Sequence, residues 1–328
     1  MNTNDTIEFF NELDDDEKLN AYLQLDKRRP PNPGRVTQKR ESKKQEMEAK
    51  LFTRAQEISR EFQFTYKAAR FEEWWLLDSL GDFYEHKWIT DVLKRVKGGK
   101  EASVYQCSSG AAVDAPLVAA KVYRPRSLRN LRNDGAYRQG RADLDEEGRE
   151  VIDDGKLHAI KKKTEYGREL LHQSWIAYEF TSLRTLHDAG ADVPEPYTMA
   201  QNAILMGFVG DISASAPTLS EISLDIDEVK PLFDRVLRNI NILLSHERIH
   251  GDLSAYNILY WEGDICLIDF PQVVSPKTNR NAFTIFERDV TRVCEYFSHQ
   301  GLKVDVEQLA EEIWTSHGYR VMEADDEM

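Results

Sequence analysis

Asp252, Asn257 and Asp269 have types and spacings that suit a metal-assisted group transfer. They lie in the stretch 249–270, which reads I-H-G-D-L-S-A-Y-N-I-L-Y-W-E-G-D-I-C-L-I-D-F. Two apolar runs, 257–261 and 265–270, flank Glu262-Gly263-Asp264, the pattern of a β-hairpin with its turn at Glu-Gly-Asp. Such a hairpin leaves Asp252 and Asn257 in the loop before it and Asp269 at its far end, so the three side chains converge at one sheet end. Phosphoryl transfer from a nucleotide needs this set. One carboxylate orients the attacking hydroxyl, while an amide and a second carboxylate hold Mg²⁺, or Mn²⁺ in its place, against the phosphates. Taken singly, each residue has a plainer reading: His250 as a hydrogen-bonding prop, Asp252 as a helix cap, Asn257 as a turn cap. Both spacings together favour the catalytic reading.

The H-x-D-x-x-x-x-N element followed by an apolar strand and D-F is the second half of a protein-kinase-like site. A first half should then precede it. Residues 88–96 read as a strand, followed by Gly98-Gly99-Lys100-Glu101-Ala102-Ser103-Val104-Tyr105 and a second strand over 103–107. A glycine turn of this kind can cover phosphates with backbone N–H groups, although it lacks a full G-x-G-x-x-G and a simple Gly-Gly hairpin turn would read alike. The strand 117–123 carries one lysine, Lys121, in an apolar run. A buried lysine is costly unless paired, and a phosphate together with a Glu would pair it. The helix over 170–189 offers Glu179 as that partner and stops at Gly190. Residues 203–210 read as a buried strand running into a Gly-bearing crossing, where Met206, Phe208 and Val209 would meet an adenine through the backbone. Helices are expected over 72–80 (ending near Gly81), 225–245, 281–299 and 309–314, with Arg288-Asp289 as a structural ion pair.

Composition bounds the rest. The 328 residues suffice for two lobes with tails, and a net charge of −14 argues against wholesale binding to nucleic acid. The charge is uneven: 27–50 holds nine Lys/Arg and three Glu, a local balance of +6. That stretch reads either as a solvated linker and helix face or as a basic arm for a ribosomal or other RNA–protein particle. No apolar run is long enough to span a bilayer, and no signal peptide is read at the start. Cys107, Cys266 and Cys294 are too widely spaced for a disulfide framework or a zinc site, so a reducing, cytoplasmic setting is expected. The organisation expected is a disordered tail over 1–36, a helical extension over 37–86, an N-lobe over 87–206 with a charged mobile insertion over 124–169, a C-lobe over 207–320 and an acidic disordered tail over 321–328.

These motifs closely resemble the RIO family of atypical serine/threonine protein kinases. The residues that carry the resemblance are the loop Gly99–Tyr105, the strand Ala120-Lys121-Val122-Tyr123, Trp175 and Glu179 on one helix, Met206-Gly207-Phe208-Val209-Gly210, His250-Gly251-Asp252-Leu253-Ser254-Ala255-Tyr256-Asn257 and Ile268-Asp269-Phe270-Pro271-Gln272. The resemblance runs over 88–298. It implies an α+β, two-lobed kinase-like fold that lacks a standard activation segment and binds ATP and Mg²⁺. It further implies that Gly98, Gly99, Lys100, Ser103 and Val104 cover the nucleotide, that Lys121 contacts its phosphates and is held by Glu179, that Asp252 is the catalytic Asp, and that Asn257 and Asp269 are the metal ligands. In the family the counterpart of Asp269 can itself accept phosphate, so an ATPase switch acting as an assembly factor is the alternative to a kinase that phosphorylates proteins and itself. The D-L-S of the catalytic loop resembles one type of the family and D-F-P-Q another, which suggests a divergent, bacterial branch. A small-molecule kinase of the aminoglycoside or choline type shares H-G-D-x-x-x-x-N, but the 99–105 loop and the F-P-Q segment speak against it.

Overall fold

The computed structural model describes residues 61–99, 101–124, 141–145 and 147–321. The expected N-terminal tail, the basic stretch 27–50, most of the helical extension, Lys100, residues 125–140 of the insertion and nearly all of the acidic tail lie outside the described residues. The chain divides into two compact units, Met1–Gln63 with Lys67–Asp78, and Phe64–Tyr66 with Ser79–Met328. In the smaller unit Phe62, Leu76 and Leu77 are buried. Everything below concerns the larger one, apart from the helix α1 that begins in the smaller.

The helical extension read over 37–86 is interrupted, because 62–69 is irregular. Here side-chain and backbone pairing outcompetes helix propensity: the Tyr66 N–H donates to Val92 O at 2.9 Å, and Thr65 binds the Asp91 carboxylate through its N–H and its hydroxyl. Helix α1 (Arg70–Glu85) runs past Gly81, where the sequence places its end. A glycine lowers helix propensity without ending a helix, and the buried Leu80 and Phe83 flank it.

Five antiparallel strands follow: β1 (Ile89–Gly98), β2 (Ala102–Ser109), β3 (Leu117–Tyr123), β4 (Pro196–Ala200) and β5 (Ala203–Gly207), in the spatial order β1-β2-β3-β5-β4. Strand β3 is central, and every residue from Val118 to Tyr123 is buried. The charged insertion contains helix: α2 (Asp154–Lys161), capped by Asp153, and the first turn of α3 (Glu165–Asp188), capped by Thr164. Helix α3 stops at Ala189 and Gly190, the latter at φ +75, a left-handed conformation that glycine adopts without a Cβ clash. It packs on the sheet through Ile176 and Phe180, which cluster with Tyr123 and Ile204. Burial of each such side chain stabilises by about 1.5–3 kcal/mol.

The second lobe is mainly helical: α4 (Ile226–Ser245), α5 (Ala282–His299) and α6 (Val306–Ser316). Among them sits the hairpin β6 (Ile258–Trp261) and β7 (Asp264–Leu267). Its turn is tighter than Glu-Gly-Asp: Glu262 (φ 51) and Gly263 (φ 87) are the two central residues, both left-handed, as a two-residue turn matched to strand twist requires. The core joins the end of α3 to α4, the hairpin and α5. The polar anchor at this junction is Asp192. Its carboxylate accepts from Arg235 at 2.8 and 2.9 Å and from Asn239 Nδ2 at 2.7 Å, and its carbonyl accepts the Leu267 N–H at 2.8 Å.

Burial alone would raise the Asp192 pKa, but the bonds from Arg235 and Asn239 outweigh it and hold it below the usual carboxylate range. A depressed folded pKa adds stability above the unfolded value, about 3.9, and that stability is lost as pH falls through the folded value. Asp192→Ala also removes one acceptor of the Asn239 amide, which is fully buried. The variant should be about 3 kcal/mol less stable than the parent at pH 7. The gap should narrow below about pH 4, as read from denaturant unfolding at both pH values.

Candidate active site

Strand periodicity puts Lys121 and Tyr123, two residues apart, on one face of β3. Both reach Glu179 on α3: Lys121 Nζ pairs with one carboxylate oxygen, and Tyr123 Oη donates to the other at 2.7 Å. Lys121 Nζ also donates to Asp269 Oδ1 at 2.5 Å, so one buried ammonium bridges carboxylates from the two lobes. Burial would lower the Lys121 pKa, but Asp269 and Glu179 more than offset it and hold it above its ordinary value. For Asp269, burial acts to raise the pKa and Lys121 prevails to lower it. The lysine is therefore charged and Asp269 ionised throughout the neutral range.

The hairpin's second strand ends at Leu267, not Phe270 as the sequence suggests, because Asp269 adopts φ 73. A non-glycine residue in the left-handed region is uncommon and costs energy. Here it turns the carboxylate out of the strand direction toward Lys121, and the side chain stays 45% exposed. Asn257 closes the short 3-10 turn Ala255–Asn257 just before β6. Its Nδ2 donates to Asp252 O at 2.9 Å, which orients the amide and leaves its oxygen as an acceptor. An amide oxygen and a carboxylate form an all-oxygen donor set. Such a set suits Mg²⁺, which is held by few protein ligands and completes its shell with water and phosphate oxygens.

The loop that carries Asp252 is held from two sides. His250 is buried: its Nδ1 accepts the Asp252 N–H at 3.3 Å and its Nε2 lies 3.1 Å from Ile268 O, an arrangement that fits the neutral Nε2–H form. Burial lowers its pKa accordingly. From the other side, Asp289 on α5 accepts the Gly251 N–H at 2.7 Å, while Arg288 donates to Gly251 O. The Arg288–Asp289 ion pair read from the sequence is present at 3.4 Å, and both partners also grip the loop. Burial pushes the Asp289 pKa up to about 7 against the pull of Arg288 and the Gly251 N–H. Arg292, one turn further along α5, donates to Asp252 Oδ1 at 2.7 Å.

The remaining expected residues line the sheet side. Gly98 pairs with Ser103 at the β1–β2 turn, where the Gly99 N–H donates to Ala102 O at 2.9 Å. Ser103 is buried, and Val104 stands opposite Lys121 across the β2–β3 ladder. Met206 is near the end of β5, and Phe208 and Val209 begin the crossing, tied back by the Ala216 N–H to Val209 O at 3.0 Å. Three residues escaped the sequence reading. Tyr123 could have been found from its spacing of two from Lys121. Arg141, which donates to Pro271 O at 2.9 Å and to Val273 O at 2.5 Å, and Arg292 had no local signal.

Glu179 is 5% exposed at its side chain, so removing Lys121 leaves an uncompensated buried charge. Lys121→Met should cost about 3–5 kcal/mol of stability. Adding Glu179→Gln should restore most of it without restoring nucleotide turnover, as read from unfolding midpoints and ATP consumption.

The model of the RIO domain matches residues 104–309, well over half of the chain. The RIO-type serine/threonine-protein kinase Rio1 of Haloferax volcanii is 28% identical over 224 residues, covering 68% of this chain and 69% of that protein. Its counterpart in Methanocaldococcus jannaschii is 28% identical over 224 residues, with 68% of each chain covered. The Rio2 kinase–ADP/Mg²⁺–phosphoaspartate complex from Chaetomium thermophilum aligns with a TM-score of 0.49 at 21% identity, over 76% of this chain and 70% of that one. The chain belongs to the RIO family of atypical serine/threonine protein kinases.

Proposed function

We propose that the cleft between the five-stranded sheet and the helical lobe binds ATP with Mg²⁺ and transfers the γ-phosphoryl group to Ser/Thr hydroxyls of proteins, including those of this chain. The observation that carries this is the Lys121 ammonium shared between Glu179 and Asp269, facing a loop whose Asp252 and Asn257 are held in place by α5 and His250. Lys121 is placed to bind phosphate oxygens, and Glu179 with Tyr123 keeps it from swinging away. Gly98, Gly99, Ser103 and Val104 form the turn that lies over the phosphates. Met206, Phe208 and Val209 offer backbone groups to the adenine at the crossing. Asn257 and Asp269 would hold Mg²⁺, which supplies charge neutralisation on the phosphates. Asp252 accepts a hydrogen bond from the incoming hydroxyl and orients it for in-line attack.

Asp252→Ala and Lys121→Ala should each reduce transfer from γ-labelled ATP by about 10²–10⁴-fold. Wild-type transfer by Asp252→Ala would sink the assignment. The label should be acid-stable and resist hydroxylamine, as phosphoserine and phosphothreonine do. A hydroxylamine-labile label that disappears in Asp269→Asn would instead mark an aspartyl-phosphate and an ATPase switch.

The basic stretch 27–50 supports a finer reading in which the kinase docks on a ribosomal or other RNA–protein particle. Deleting residues 1–50 should then abolish sedimentation with such particles, whereas Asp252→Ala should keep it. Three free cysteines suit a reducing, cytoplasmic setting. Among the described residues no helix is long and apolar enough to cross a membrane.

A further inference from the structure

Helix α5 touches the catalytic loop at three points, and they differ in kind. Arg288 and Asp289 bind the carbonyl and the N–H of Gly251, which fixes the backbone. Arg292 alone binds a side chain, donating from Nη1 to Asp252 Oδ1 at 2.7 Å. The loop 250–257 contains no Lys or Arg of its own, so the cation beside Asp252 comes from this helix. Lys121 is engaged elsewhere, with Glu179 and Asp269.

We propose that Arg292 is the positioning residue of the acceptor site, fixing the Asp252 carboxylate so that one oxygen is occupied and the other is presented to the incoming hydroxyl. The proposal rests on the reading of Asp252 as the carboxylate that orients the acceptor. An aspartate on a loop can rotate about χ1 and χ2, and a misplacement of about 1 Å at a reacting group costs on the order of 10²-fold in rate. A guanidinium is planar and always charged, so it holds a carboxylate with little loss of its own freedom. The pair is 39% and 41% exposed, and ion pairs so exposed add little to folding. The loop backbone stays anchored by Arg288, Asp289 and His250 whether or not Arg292 is present. The effect of Arg292 therefore falls on the geometry of one side chain and not on the fold or on nucleotide binding.

The test compares Arg292→Ala, Arg292→Lys, Asp252→Ala and the double variant Asp252→Ala/Arg292→Ala in the full chain. Transfer from γ-labelled ATP to dephosphorylated casein gives kcat and KM, and titration with a fluorescent ATP analogue and Mg²⁺ gives nucleotide affinity. Arg292→Ala should lower kcat by about 10- to 100-fold, with KM for ATP and the analogue's Kd unchanged. Arg292→Lys should recover part of the loss. In the Asp252→Ala background the second substitution should change nothing, because its target is gone. Wild-type kcat in Arg292→Ala overturns the proposal. So does an equal further loss in the Asp252→Ala background, and so does a fall in nucleotide affinity that matches the fall in rate. Should Arg292→Ala fail to fold, Arg292→Gln keeps most of the packing, loses the charge and reads the same quantities. Wild-type transfer by Asp252→Ala would be a separate failure, that of the assigned function itself.

Discussion

A charged ammonium buried between two carboxylates is the constraint around which the molecule is arranged. Taking an ion out of water costs several kcal/mol unless its partners are close and its hydrogen bonds are made. Lys121 meets that condition only because β3 lies between β2 and β5, which buries it, and because α3 passes close enough for Glu179 to reach it. Glu179 in turn needs its second oxygen satisfied, and Tyr123 does this from the same face of β3. The long helix α3, its caps and its apolar contacts with the sheet can all be understood as the means of holding one carboxylate beside one lysine. Asp269 completes the set from the other lobe, at the cost of a left-handed backbone.

The helical lobe solves a different problem. Asp252 is partly exposed, so burial does not fix it, whereas Asn257 is buried. The loop is fixed instead through its neighbours: a buried neutral imidazole at His250, the Gly251 peptide held by Arg288 and Asp289, and the Asn257 amide turned back on Asp252 O. Gly251 is at φ +82, and a Cβ there would lie 2.2 Å from Gln272 O. The segment after Asp269 therefore packs directly on the catalytic loop. Arg141 ties the same segment, at Pro271 and Val273, to the described end of the charged insertion.

How much of this the sequence discloses depends on the range of the forces involved. The Lys121 strand, the hairpin and α4 are visible because each is set by local periodicity and turn chemistry. The spacing of Asp252, Asn257 and Asp269 is visible because a short loop, two strands and a two-residue turn leave little freedom between Asp252 and Asp269. Asp289 is legible as a structural residue: it lies four residues from both Ile285 and Val293, on the apolar stripe of α5, where a carboxylate needs a reason. What stays hidden is decided by tertiary contact. The irregular 62–69 segment follows from pairing with β1, and the extension of α1 past Gly81 from buried neighbours. The left-handed Asp269 depends on Lys121, which is 148 residues away in the chain. Arg141 and Arg292 were two arginines among many until the fold gave each a partner.

Asp252 and Asp269 each bind a cation, but the cations sit in different places. Asp252 and Arg292 both belong to the helical lobe, so their contact is built within one lobe. Asp269 and Lys121 belong to opposite lobes, so their 2.5 Å bond crosses the cleft. The Asp252–Arg292 geometry thus depends on packing within one lobe, whereas the Lys121 set needs β3, α3 and the segment after β7 to meet at one point.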